Sequence, residues 1–322
     1  MSETLEQYGL TREDLVHLVE GPWRRLRAVV EKRVIDFHAH NWSGEVKKIR
    51  LAGKVRERKN EGVDYTDELI LSMDVHGIEK ACVSWAKNNN WERVSYRVWL
   101  ESLARYPDRL IEAARGAGGE NLDKLPADGR EAAEFIQKRL QQGAKMIGSM
   151  ELPNRANLEP KAIALIMEVA EEFDVPILCG TGVTSEARGA VRHPELFLPL
   201  IQTYPKVNFV IGDAGGRRFP MGGGWQAIMS ASMYENAFLE ISGAPVSIVE
   251  MAVRTLGAAR VIFGSNQSNP EIRYFEPHGQ WDACLQWSTL NAVALANLSE
   301  AQRDRILHKN ARRLLKLADG GL

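Results

Sequence analysis

Residues 34–40 read Val-Ile-Asp-Phe-His-Ala-His, a short apolar run that ends in two histidines spaced two residues apart. Side chains at positions i and i+2 of a β-strand share a face, so His38 and His40 are expected to point the same way. Two adjacent imidazoles suit a borderline metal ion such as Zn, Mn or Fe. The segment therefore predicts a strand that ends in a metal-binding pair, although the same spacing also occurs by chance in strands that bind no metal.

Seven further strand-like runs follow this segment, and helix-like stretches such as 130–142 and 160–173 separate them. The runs lie at residues 81–84, 109–113, 144–147, 175–179, 207–211, 238–241 and 261–263. Alternating β and α units favour an α/β protein whose parallel sheet closes into a (β/α)8 TIM barrel, with a doubly wound open sheet as the alternative. His38 and His40 then lie at the carboxyl end of the first strand, where barrel enzymes have their active sites.

The composition excludes several classes of protein. Lys and Arg number 41 and Asp and Glu 42, so the net charge of −1 argues against a basic nucleic-acid-binding surface. No run of about 18 apolar residues predicts a membrane span. Three cysteines cannot form a disulfide framework, and the first residues do not resemble a secretory signal. We expect a cytoplasmic protein with no nucleic-acid or membrane partner.

The chain is expected to contain one barrel domain with additions at both ends. Residues 1–32 indicate a short N-terminal helical extension, and residues 33–322 form the predicted barrel domain. The barrel ends in a helix over 299–318, for which Ser299 is the expected N-cap.

Four segments of the sequence resemble the amidohydrolase superfamily, and in particular the amidohydrolase-2 branch that includes aminocarboxymuconate-semialdehyde decarboxylase. Residues 35–40 are similar to its opening signature, 207–216 to its sixth strand, 260–266 to its eighth strand and 306–315 to its closing helix. The resemblance implies a (β/α)8 barrel and one catalytic divalent metal, with Zn expected first. It also implies hydrolysis of a C–N or C–O bond or decarboxylation of a small carboxylate, and a homodimer or a pairing with a homologous barrel.

The resemblance is incomplete at the expected active site. His38 and His40 match the family, but Gly180 stands where a metal-binding His is usual, Asp213 where the sixth-strand His is usual, and Asn266 where the eighth-strand Asp is usual. Gly180 offers no ligand, and Asn266 cannot act as a base near neutral pH. Carried over by position, the metal ligands are His38, His40 and Asp213, and the catalytic positions are Asp213 and Asn266. These losses also suit an inactive homologue that binds a ligand or stabilises a partner subunit.

Other polar and aromatic residues near the predicted strand ends complete the candidate site. Glu151, just past the fourth strand, is the best additional general acid or base, with a solvated loop carboxylate as the alternative. Cys179 could replace the missing ligand if the fifth strand shifts by one residue, although buried cysteines are common in strands. Basic residues could hold a substrate carboxylate, or could be ordinary surface charges, and a Trp and a His could line the pocket. The candidate substrate-binding residues are Arg115, Lys145, Arg217, Trp42 and His278.

Overall fold

The computed structural model describes residues 34–41, 48–51, 54–57, 65–85, 96–115, 130–151, 160–183, 191–215, 223–266 and 285–318. Eight strands form one parallel sheet, in the order in which they follow along the chain. They are β1 (Val34–Asn41), β2 (Ile78–Trp85), β3 (Leu110–Ala114), β4 (Met146–Glu151), β5 (Ile177–Gly180), β6 (Phe209–Ile211), β7 (Ala237–Glu240) and β8 (Val261–Ile262). The predicted (β/α)8 barrel is confirmed, and each predicted apolar run overlaps one strand.

The first and last strands of the sheet also meet. The backbone N–H of Phe37 donates to the carbonyl of Phe263 at 3.1 Å, and that of Asn266 donates to the carbonyl of His38 at 2.7 Å. The sheet therefore closes on itself, and the carboxyl ends of all eight strands surround one opening, the mouth of the barrel.

Helices lie between the strands and after the last one. They are α1 (Tyr65–His76), α2 (Tyr96–Leu103), α3 (Arg130–Gln141), α4 (Pro160–Phe173), α5 (Leu198–Thr203), α6 (Gly223–Ser232), α7 (Val246–Leu256), α8 (Leu285–Leu295), α9 (Glu300–Asp304) and α10 (Asn310–Leu314). Two-stranded antiparallel hairpins join Lys48–Leu51 to Lys54–Glu57 and Gly182–Val183 to Val191–Arg192. Among the helices in the described part of the chain, none is long and apolar enough to cross a membrane.

The barrel interior is filled with apolar side chains below the mouth. The C-terminal segment covers the amino end of the barrel, because Asn310 Nδ2 donates to the carbonyls of Ala258 and Val261 at 2.6 and 2.8 Å. The inner cluster consists of Ile35, Phe37, Cys82, Ala113, Met146, Leu178, Val210, Phe238, Ile262, Ala311, Leu314 and Leu315. The inner cluster itself is therefore apolar.

The C-terminal helical segment begins as predicted. Ser299 Oγ accepts a hydrogen bond from the backbone N–H of Gln302 at 3.2 Å, and Gln302 Oε1 accepts from the backbone N–H of Ser299 at 2.8 Å. This reciprocal pair is a capping box. The segment is not one uniform helix as expected, because a π-helical turn at Arg305–Lys309 separates α9 from α10. The predicted extension over 1–32 lies outside the described residues.

A β-bulge in β1 turns the histidine pair into the barrel. Asp36 pairs with Ala81 and Ala39 with Val83. Between these two pairs β1 advances by three residues and β2 by only two, so β1 contains one extra residue. Phe37 lies in the inner cluster, and strict alternation from it would direct His38 outward toward the helices. The extra residue of the bulge reverses that alternation. His38 and Phe37 therefore both face the interior.

Candidate active site

His38 and His40 face each other at the carboxyl end of β1. Their Nε2 atoms are 3.1 Å apart. Nδ1 of His38 lies 3.0 Å from Oε2 of Glu240, and Nδ1 of His40 lies 3.1 Å from the carbonyl oxygen of Ser84. A carbonyl oxygen and an ionised carboxylate only accept hydrogen bonds, so both Nδ1 atoms carry protons. In neutral rings the two unprotonated Nε2 atoms then meet with no hydrogen between them.

Two unprotonated nitrogens in contact repel unless a proton or a metal ion lies between them. Two nitrogens that bind one ion at about 2.1 Å, with an angle of about 90° to 110° between the bonds, are about 3.0 to 3.4 Å apart. The observed 3.1 Å falls in that range. Metal-binding histidines also usually donate their other ring N–H to a carboxylate or a backbone carbonyl, as both rings do here. The His38–His40 pair therefore fits a divalent metal ion.

The two imidazoles differ in their proton affinity. Burial alone would lower the pKa of His38, but the hydrogen bond to Glu240 and the negative charges of Glu240 and Asp213 outweigh it and raise the pKa above the ordinary 6.5. Burial and the neighbouring His38 lower the pKa of His40 to about 3, and the positive charge of Arg115 adds to this effect. Of the two rings, His38 therefore has the higher affinity for a proton, and metal binding competes with protonation at this site.

Asp213 and Asn266 extend the site across the mouth. Both have positive φ angles, 56° and 50°, which turn the chain sharply just after β6 and β8. Asn266 Nδ2 donates to Oδ1 of Asp213, and Ser242 Oγ lies 3.3 Å from the same oxygen. Each of His38, Asp213 and Glu240 contributes an atom to a group within 4.8 Å of one another, a spacing suited to a metal ion.

Glu240 is the central residue of the site that the sequence analysis missed. Its side chain is fully buried at the end of β7, although carboxylates are rarely fully buried without a partner. Its oxygens accept hydrogen bonds from Nδ1 of His38 at 3.0 Å, the backbone N–H of Asp213 at 2.9 Å, and both the N–H and the hydroxyl of Ser242. The sequence feature that could have identified Glu240 is its position as the single acidic residue at the end of an otherwise apolar strand.

Asp36 is a second buried carboxylate that the sequence analysis did not single out. Burial raises its pKa from 3.8 to about 6, although the hydrogen bonds that it accepts oppose the shift. These come from the backbone N–H of Ser265 at 2.9 Å, its hydroxyl at 2.6 Å and the backbone N–H of His38 at 3.2 Å. Gln286 Nε2 donates to Oδ2, the oxygen that also accepts from the Ser265 hydroxyl, at 3.4 Å. Asp36 thereby ties the bulged part of β1 to the end of β8.

A family model described as Amidohydrolase matches residues 35–317. The chain belongs to the amidohydrolase family. The match spans all eight barrel strands except the first residue of β1 and confirms the family resemblance. None of the curated proteins compared with this amidohydrolase matches it.

Solved structures share the barrel of this chain at low sequence identity. An uncharacterized TIM-barrel protein from Bordetella bronchiseptica has a TM-score of 0.62 and 16% identity over 88% of this chain and 98% of that one. A dihydroxybenzoic acid decarboxylase from Polaromonas sp. JS666, with bound manganese and 2-nitroresorcinol, has a TM-score of 0.55 and 19% identity over 89% and 98%. A 5-carboxyvanillate decarboxylase from Novosphingobium aromaticivorans, complexed with manganese and 4-hydroxy-3-methoxy-5-nitrobenzoic acid, has a TM-score of 0.52 and 15% identity over 79% and 81%. At these identities the likeness shows the fold alone.

The amidohydrolase fold brings most of the described candidate residues to the mouth. His38, His40, Asp213 and Asn266 lie together there. Arg115 directly follows β3 and is half-buried, and its charge acts on His40. Glu151 is the last residue of β4, and its backbone pairs with Gly180 at the end of β5. The Glu151 side chain lies outside the described part of the structure.

Two candidates lie away from the mouth of the amidohydrolase barrel. Lys145 directly precedes β4, so it lies at the amino end of a strand whose carboxyl end faces the site. Cys179 packs in the apolar cluster between sheet and helices, where burial raises the pKa of its thiol. The strand shift that would make Cys179 a ligand is not present, because β5 pairs it with Met150 and Ile211. Trp42, Arg217 and His278 lie outside the described residues, and their substrate-binding roles stay predictions.

Proposed function

We propose that this amidohydrolase is a metal-dependent enzyme that acts on a small carboxylate substrate at the mouth of the barrel. One observation carries the proposal. The Nε2 atoms of His38 and His40 are 3.1 Å apart, and both Nδ1 atoms are engaged by acceptors. That arrangement suits a cation between the rings.

Each described residue at the mouth has a proposed role. His38 and His40 bind the ion through Nε2, and Asp213 adds a carboxylate oxygen, in line with its position 4.8 Å or less from an atom of His38. A bound divalent ion, Zn or Mn, supplies positive charge that stabilises a developing oxyanion on the substrate. Asn266 orients Asp213 through its amide N–H, and Arg115 binds the substrate carboxylate.

We place decarboxylation first among the possible reactions. In this step the bond to the carboxylate carbon breaks, its electron pair stays on the remaining substrate carbon, CO2 leaves, and a proton replaces it. Glu151 is the proposed donor of that proton. No base has to activate water, which agrees with an amide at Asn266 where related proteins have an acid. Two solved decarboxylases with the same fold hold manganese and an aromatic nitro compound.

Hydrolysis of a C–N or C–O bond is the second candidate. Asp213 favours it, because this carboxylate lies beside the histidine pair and could take a proton from an attacking water. The two reactions differ in their products. Decarboxylation releases CO2, whereas hydrolysis incorporates oxygen from isotopically labelled water.

Metal analysis combined with product analysis tests the proposal. Protein stripped with chelator and reloaded with Zn²⁺ or Mn²⁺ should hold one ion per chain, and should release CO2 from a member of a panel of hydroxybenzoates and related small carboxylates. His38→Ala and His40→Ala should lose both properties, whereas His193→Ala, an exposed residue, should retain them. Absence of metal from the reloaded wild-type protein would contradict the proposal. Metal binding without turnover of any substrate would favour the inactive homologue.

A further inference from the structure

Glu240 is a buried charge to which the proposed function gives no role. It closes β7 with a fully buried side chain, and its Oε2 atom lies at hydrogen-bond distance, 3.0 Å, from Nδ1 of His38. The same oxygen accepts a hydrogen bond from the backbone N–H of Asp213 at 2.9 Å. A single carboxylate oxygen therefore contacts a residue of β1 and a residue that follows β6, both of which we place around the ion.

We propose that Glu240 is the positioning residue of this metal site. It keeps a proton on Nδ1 of His38, so that the Nε2 lone pair is directed at the ion, and it holds the backbone of Asp213 in place. The inference rests on the proposed metal site, and it adds a residue from a strand that the sequence did not connect with metal binding.

Glu240 acts through its neighbours because the oxygen that faces them is already engaged. A carboxylate oxygen has about two acceptor sites. Oε2 is contacted by Nδ1 of His38, the N–H of Asp213 and the hydroxyl of Ser242, and Oε1 by the N–H of Ser242. The oxygen beside His38 therefore has no acceptor site left for an ion.

The site around Glu240 selects a carboxylate over an amide. Oε1 accepts the backbone N–H of Ser242 and Oε2 that of Asp213, so a donor faces each oxygen. Glutamine has the same shape, but it would present an NH2 group to one of these N–H groups and leave that buried donor without an acceptor. The buried negative charge also requires a positive partner, which His38 provides as a proton or a bound metal.

A glycine two residues after the neighbouring strand β8 makes room for this carboxylate. A Cβ atom at Gly264 would lie 2.6 Å from Oε1 of Glu240, closer than such atoms can approach. Gly264→Ala would therefore displace the carboxylate while leaving every donor and acceptor in the chain. Because Gly264 does not have a positive φ angle, alanine introduces no backbone strain of that kind.

The first experiment needs no metal. Nitrogen-15 NMR of metal-free protein labelled at histidine should show a strongly downfield Nδ1–H resonance for His38, assigned by its loss in His38→Ala. Glu240→Gln and Gly264→Ala should both abolish or markedly shift this resonance. The control Glu79→Gln, which changes a carboxylate bound to Arg312 at the other end of the barrel, should leave it in place.

The second experiment measures Zn²⁺ and Mn²⁺ affinity of the same variants by titration with a competing chelator. Loss of an outer hydrogen-bond partner of a metal-binding histidine typically weakens affinity about 10- to 100-fold. We expect a loss of that size in Glu240→Gln and Gly264→Ala, with one ion still bound at saturation, and wild-type affinity in Glu79→Gln.

The two experiments separate the two proposals. A wild-type protein that binds no metal contradicts the proposed function, while the NMR result still decides the role of Glu240. An unchanged His38 resonance in both site variants overturns the positioning role. So does complete loss of metal from Glu240→Gln together with an unaffected Gly264→Ala, because that pattern indicates direct coordination. If Glu240→Gln does not fold, Gly264→Ala alone decides.

Discussion

At the amino end of the barrel, Arg312 donates two hydrogen bonds to Glu79 at 3.0 and 2.9 Å, and Asn310 donates to two backbone carbonyls. At the carboxyl end, the Nε2 atoms of His38 and His40 face each other at 3.1 Å. The first arrangement matches every one of these donors to an acceptor within the chain. The second needs something from outside the chain, a proton or a metal ion.

The comparison indicates that contacts at one end of this TIM barrel stabilise the fold, whereas groups at the other end are available for function. Matched polar groups at the amino end join the C-terminal helix to the strands, which closes the inner cluster. At the carboxyl end, the Nε2 acceptors of His38 and His40 lie side by side, so this end favours the binding of a cation. Substitutions at the two ends should therefore affect different measurements.

The largest expected effect on stability is at Arg312, which is 6% exposed. Arg312→Met should lower the free energy of unfolding by about 3 kcal/mol, because it leaves the Glu79 carboxylate half-buried without its partner. Urea unfolding measures the change. Arg305→Met, at an exposed position in the same C-terminal segment, is the matched control and should change stability by less than about 0.5 kcal/mol. Metal affinity altered by Arg312→Met would show that the two ends are coupled after all.

A somewhat smaller effect is expected from the metal itself. Zn²⁺ or Mn²⁺ at about 100 times its dissociation constant should stabilise the wild-type protein by about 2.7 kcal/mol, because the ion binds only the folded site. Thermal unfolding with and without metal measures this. His40→Ala should abolish the stabilisation, whereas Arg312→Met should retain it. An equal metal effect in His40→Ala would place the ion elsewhere.

The smallest effect is expected at the capping box of α9. Ser299→Ala removes the hydroxyl that accepts from the N–H of Gln302, and should cost about 1 kcal/mol of unfolding free energy. Ser299→Asp restores an acceptor and should recover most of the loss. Neither variant should change metal content, and a loss larger than that of Arg312→Met would reverse the ranking of contacts at this end of the barrel.

Local sequence patterns predicted the fold in detail. Apolar runs and helical periodicity depend on residues close together in the chain, and α4 begins and ends where the pattern indicated, at Pro160 and Phe173. The N-cap at Ser299 was likewise predicted from residues close together in the chain. His38 and His40 could be proposed because they close a predicted strand, whereas Asp213 and Asn266 were proposed from the positions that the family resemblance implies.

The identity of the chain's residues by itself thus determined an eight-stranded barrel and a histidine pair near its mouth. Only the tertiary structure decided how the two imidazole rings are oriented and which residues hydrogen-bond to them. The bulge that turns His38 inward depends on the pairing of β1 with β2, and Glu240 reaches His38 across 202 residues of sequence. Such contacts arise from the closure of the sheet, which brings β1, β7 and β8 together, and no local pattern encodes that proximity.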